Sequence, residues 1–80
     1  MDMKWYKQEY PKYLIYSSIE DENKYVYYIN LINSKYELSV INFGDAKELP
    51  KIDIKFNSEA EAKSYAEIHY QRYVLGKNNV

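Results

Sequence analysis

The chain holds one histidine, His69, and no cysteine, so the residue types behind most nucleophilic and metal chemistry are nearly absent. A lone histidine cannot assemble a His-based zinc site. It could act as a single general base, but no serine with an evident orienting partner accompanies it. Carboxylates pair at Glu20 with Glu22 and at Glu59 with Glu61. The first pair reads as a charged turn and the second as a helix start, where capping and the helix dipole explain them better than acid–base catalysis. Gly44 and Gly76 stand alone and build no phosphate-cradling loop. The expectation is therefore a protein with no catalytic residues, metal or cofactor, in which His69 is a packed, hydrogen-bonded core residue.

What the chain has in excess is tyrosine, 11 of 80 residues. A tyrosine is a large apolar ring with one hydroxyl, suited to surfaces that are dry at one end and wet at the other. Such rings line protein interfaces at low rotamer cost or stack on bases. Lys24, Lys35, Lys51 and Lys55 are interleaved with them, but Glu20, Asp21, Glu22, Glu37 and Asp53 dilute that field.

Eleven Lys/Arg against twelve Asp/Glu leave a formal charge of −1, so no global field draws in nucleic acid or an anionic membrane. Eighty residues make one domain, and a chain this short buries roughly 60 % of its unfolded surface, which implies a stability of a few kcal/mol. Without cysteine there are no disulfides of the kind small secreted domains use. The start, Met1-Asp2-Met3-Lys4-Trp5, lacks the apolar core of a signal peptide, and no run approaches the length of a membrane span. The expected location is the cytoplasm. Frequent Lys, Asn, Ile and Tyr also match the codon bias of low-GC bacteria and their phages.

The elements that must position the tyrosines follow from periodicity. Residues 13–19 (Tyr-Leu-Ile-Tyr-Ser-Ser-Ile) are rich in β-formers, with Pro11 before them. Residues 24–33 form a strand with Tyr25, Tyr27, Ile29 and Leu31 on one face and Val26, Tyr28 and Ile32 on the other. Asn33-Ser34 reads as a tight connection to a strand over 35–43, near whose end Ile41 and Phe43 point opposite to Leu38, suggesting a bulge or an edge change. Residues 51–56 alternate without exception, with Ile52, Ile54 and Phe56 toward the core. Ser58 and Glu61 then form a capping box for a helix over 58–75, with a stripe of Ala62, Tyr65, Ala66, His69 and Tyr73, closed by Gly76. The expected fold is α+β: an antiparallel four-stranded meander over 12–56 with one C-terminal helix across one face, then a tail over 76–80. Residues 1–11, with Trp5, Tyr6 and Tyr10, either add an edge strand or wrap the core.

The junction Phe56-Asn57-Ser58-Glu59-Ala60-Glu61-Ala62, with Ala66 following, resembles the ending of the arm-type DNA-binding domains of phage integrases. The resemblance spans residues 51–66 and implies a sheet followed by a helix, with Phe56 and Ala62 as packing positions and Ser58 as the cap. That family's net basic character and glycine-marked turns have no counterpart here. By size and composition the whole is similar to the small, cysteine-free, tyrosine-rich proteins with which phages block host defence, such as anti-CRISPR proteins.

One helix covers one face of such a sheet, and the second strand is apolar on both. The expectation is a non-catalytic protein-binding module, an inhibitor of a host protein, acting through a tyrosine-rich sheet face. Its contact residues would be Tyr16, Tyr25, Tyr27, Tyr28 and Tyr36, with Trp5 and Tyr6 as anchors. Alanine at Tyr25 and Tyr27 together is then expected to abolish capture and leave the fold intact. Two alternatives use the same residues: a nucleic-acid-binding sheet, and a homodimer joined through the tyrosine patch.

Overall fold

The computed structural model describes residues 3–8, 14–18, 24–74 and 76, with 14–18 by their backbone alone. Five strands precede one helix: β1 (Lys4–Gln8), β2 (Leu14–Ser18), β3 (Tyr25–Ile32), β4 (Lys35–Asn42), β5 (Lys55–Phe56) and α1 (Glu59–Tyr73). They form one antiparallel sheet in chain order, β1-β2-β3-β4-β5. The expected α+β meander is present with a different strand count. The N-terminal stretch supplies β1 as an edge strand, and Met3 beside it is buried in the core.

The β3–β4 hairpin is the longest ladder, paired from Tyr25↔Asn42 to Ile32↔Lys35. Asn33 and Ser34 both take positive φ, 51° and 68°. That is the requirement of the two-residue turn whose twist matches that of the flanking strands. The bulge expected near Ile41 is absent, for the register runs unbroken through Asn42. Ile41 faces away from Leu38 simply because it stands an odd number of positions from it.

The last strand is shorter than its alternation suggests, with only Lys55 and Phe56 in the ladder. Two tertiary hydrogen bonds account for this. The Tyr25 hydroxyl donates to the Lys47 carbonyl at 2.6 Å, and His69 Nε2 donates to the Pro50 carbonyl at 3.1 Å. Both carbonyls are drawn toward the helix side, so the chain enters the sheet late. Ile52 still packs against the core, whereas Ile54, expected inside, is 43 % exposed.

The helix begins as its sequence prescribes. Ser58 takes extended dihedrals and its Oγ accepts from the Glu61 N–H at 3.2 Å. Glu61 Oε1 accepts in return from the N–H of Asn57, one residue before the cap. Glu59 pairs with Lys63 one turn on, at 2.7 Å. The helix packs across β3, β4 and β5. Ala62 and Ala66 are fully buried on the contact face, where a side chain of one carbon lets the helix sit close to the sheet. Tyr70 joins the buried stripe in the place expected of Tyr73, which is exposed. The helix ends at Tyr73 with Val74 as its C-cap, short of the expected residue 75, so Gly76, with φ 70°, stands two residues beyond the cap and does not close the helix. Tyr10, Pro11, the charged turn at 20–23 and the tail from Lys77 onward lie outside the described residues.

Replacing Ser58 with alanine removes the cap and should cost about 1 kcal/mol, lowering Tm by about 4–8 °C. Thermal denaturation followed by circular dichroism measures this, and an unchanged Tm contradicts the cap assignment.

Candidate interaction surface

Strand parity divides the tyrosines between two faces. Residues directly opposite in an antiparallel ladder share a face, so the registers place Trp5, Tyr25, Tyr27, Tyr36 and Phe56 on the side covered by α1. They place Tyr6, Tyr16 and Tyr28 on the other.

Beneath the helix, Tyr27 is fully buried. Its ring meets those of His69 and Tyr70 edge-on, with centroids 5.6 and 6.5 Å away. Its hydroxyl lies 2.7 Å from His69 Nδ1. The tautomer follows from the other side of the ring. The Pro50 carbonyl can only accept, so Nε2 carries the hydrogen, and Nδ1 of the neutral imidazole accepts from Tyr27. Burial pushes the His69 pKa below 6.5, against the opposing pull of the Pro50 carbonyl. Burial likewise raises the Tyr27 pKa well above its ordinary value, keeping the hydroxyl a donor. The only histidine is thus a structural link between strand, helix and loop.

Four of the expected contact residues therefore serve the interior. Tyr27 cannot present its ring to a partner, and truncating a large buried ring costs about 3–5 kcal/mol. That overturns the expectation that alanine at Tyr25 and Tyr27 spares the fold. Tyr25 is half-buried and holds the loop through Lys47. Tyr36 is half-buried against the core. Trp5 also packs on the core, with the Lys63 ammonium 5.8 Å from its ring centroid.

On the opposite face the registers Tyr6↔Tyr16 and Tyr16↔Tyr28 set three tyrosine positions side by side across β1, β2 and β3. Neighbouring strands lie about 4.8 Å apart, so the row is about 10 Å wide. Tyr6 is 44 % exposed and Tyr28 half-buried. Val26 and Ile41, opposite each other in the next rank, extend the apolar area, and Ile32 adds to it at the hairpin end. Ile41 and Ile32 are 44 and 43 % exposed. These aliphatic neighbours were not among the expected contacts, although their odd spacing from Leu38 and Ile29 already marked the face. β1 extends the sheet plane and does not lie across this face. Toward the β5 edge the character changes to charge, where Lys55 pairs with Glu37 at 3.2 Å and Lys35 donates to Asn57.

No family model matches the chain, and neither the curated proteins nor the solved structures give a match. Among the described residues no helix is long and apolar enough to cross a membrane.

The lowered pKa of His69 fixes the sign of a pH effect. Above 6.5 the ring is neutral in both folded and unfolded chains, and its full contribution is present. As pH falls below 6.5, the unfolded chain takes up a proton that the fold resists, so stability declines until the lowered folded value is passed. Urea midpoints should fall between pH 7.5 and 5.5, with that component missing in His69→Gln; equal slopes in the two proteins would contradict the neutral buried ring.

Proposed function

We propose that this chain is a non-catalytic protein-binding module that acts through the sheet face opposite α1. The observation that carries the reading is the Tyr6–Tyr16–Tyr28 row, bordered by Val26 and Ile41, on the face the helix leaves uncovered. Large amphipathic rings beside aliphatic groups, with charged residues at the margins, match the core-and-rim composition of protein interfaces. Of the seven contact residues expected from sequence, the reading keeps Tyr6, Tyr16 and Tyr28. The likeness in size and composition to phage anti-defence inhibitors makes the partner a host protein in a bacterial cytoplasm, blocked by occupation of its surface. His69 is committed to Tyr27 and Pro50, which supports a role without chemistry.

The second reading is a single-stranded nucleic acid, since Lys4, Lys35 and Lys55 share this face by register. It ranks lower because Lys55 is neutralised by Glu37 and Lys35 is engaged by Asn57. The third is a second copy of the chain on the same row.

Affinity capture from a low-GC bacterial lysate, identified by mass spectrometry, supplies the partner. Tyr6→Ser with Tyr28→Ser should leave a cooperatively folded chain and weaken capture by about 2 kcal/mol per central ring, roughly 30-fold in Kd. A folded double variant that captures as well as the parent overturns the assignment. Binding to single-stranded DNA that falls steeply with salt would favour the second reading, and concentration-dependent sedimentation the third.

A further inference from the structure

The segment between β4 and β5 is thinly anchored. Residues 46–54 belong to no strand or helix. Among the described residues, no backbone–backbone hydrogen bond reaches 47–52. None of residues 47–54 is buried, and only Leu49 and Ile52 are half-buried. Clefts lie on both sides of the segment. One of about 250 Å³ is bounded by Tyr25, Val40, Leu49 and Ile52, and one of about 520 Å³ by Leu49, Pro50 and Tyr73. Two side chains of the body fasten it, Tyr25 at the Lys47 carbonyl and His69 at the Pro50 carbonyl. Sparse apolar burial and few backbone bonds mark a region that opens at lower free energy than its surroundings. The helix differs in both respects, with Ala62, Ala66, His69 and Tyr70 seated in the core.

Of the two fasteners, only His69 changes charge near neutral pH. In the closed chain its one lone pair, on Nδ1, already accepts the Tyr27 hydrogen. A proton on Nδ1 would strengthen the bond to Pro50 but evict that hydrogen, and the Tyr27 hydroxyl has no other bond among the described residues. The groups facing the ring are Tyr27 from β3, Tyr65 and Tyr73 from its own helix, and the Pro50 carbonyl. None carries a charge at neutral pH. Lys47, Glu48 and Lys51 of the segment are exposed, and among the described residues no ion pair reaches the ring. Burial thus outweighs the Pro50 carbonyl and keeps the closed ring neutral. Once the segment lifts, the ring meets water and binds its proton at the ordinary 6.5. Acid then favours the lifted form, because that form binds more protons.

We propose that residues 47–54 form an acid-sensitive strap, which neutral His69 holds shut and which opens on protonation of the ring while sheet and helix stay folded. Opening uncovers Tyr25, Val40 and the helix end at Tyr73. The device is separate from the Tyr6–Tyr16–Tyr28 row and does not rest on the binding role assigned to it.

The test is limited cleavage after Glu48 by a glutamate-specific protease without denaturant, read by mass spectrometry. Rates are divided by those of the free peptide Ala-Lys-Glu-Leu-Pro-Lys-Ile-Asp, which removes the enzyme's own pH dependence. The ratio tracks the open population while reclosing outpaces cleavage. Between pH 7.5 and 5.5 it should rise severalfold, up to the about tenfold that one proton allows, with the helical circular dichroism unchanged. His69→Gln should abolish the rise. Tyr27→Phe leaves Nδ1 open to a proton in the closed chain, so the rise should shrink to about half or less. Tyr25→Phe frees Lys47 alone and should raise the ratio at both pH values while keeping the dependence. The proposal is overturned by a ratio that does not change with pH, or by a rise that persists in full in a folded His69→Gln or Tyr27→Phe chain. It is equally overturned if helical signal is lost in step with cleavage, the whole fold then opening in place of the strap.

Discussion

The hydroxyl of Tyr27 donates to His69 inside a core that excludes water, and His69 passes the connection on to the Pro50 carbonyl. Three parts of the chain distant in sequence meet in that relay: the central strand, the helix and the loop before β5. The Tyr27 hydroxyl and the His69 ring would be costly to bury unpaired. Each is satisfied only while the others hold their places, so the helix cannot shift along the sheet without stranding a donor or an acceptor. Ala62 and Ala66 permit the close approach that the relay needs, and Tyr65, Tyr70 and Tyr73 surround it with rings.

This arrangement divides the tyrosines by task. Those sharing a face with Tyr27 are drawn into the interior and hold the loop and helix in place. Those one position out of phase are left on the far side, in a row that crosses three strands. The aromatic excess thus has two separate causes. A core this small gains area and hydrogen bonds from buried rings, while the outer row is the surface to which the proposed binding role is assigned.

The loop's tether has a cost at the sheet edge. With the Lys47 and Pro50 carbonyls committed to Tyr25 and His69, residues 51–54 stay out of the β4 ladder, and only Lys55 and Phe56 pair with it.

Much was legible in the residues themselves. Ser58 with Glu61 announced the helix start, Asn33-Ser34 the hairpin, and two-residue alternation the strands, because capping, turn dihedrals and pleat are local properties that neighbouring residues dictate. The α+β class followed from their order. What the chain could not reveal by itself was which face of β3 the helix would choose, since both carry apolar residues. Nor could it reveal that Ile52 and Ile54, with flawless alternation, would be kept out of the ladder. Those outcomes turn on hydrogen bonds between residues 19 to 42 positions apart, and contacts at such range exist only once the chain has closed on itself.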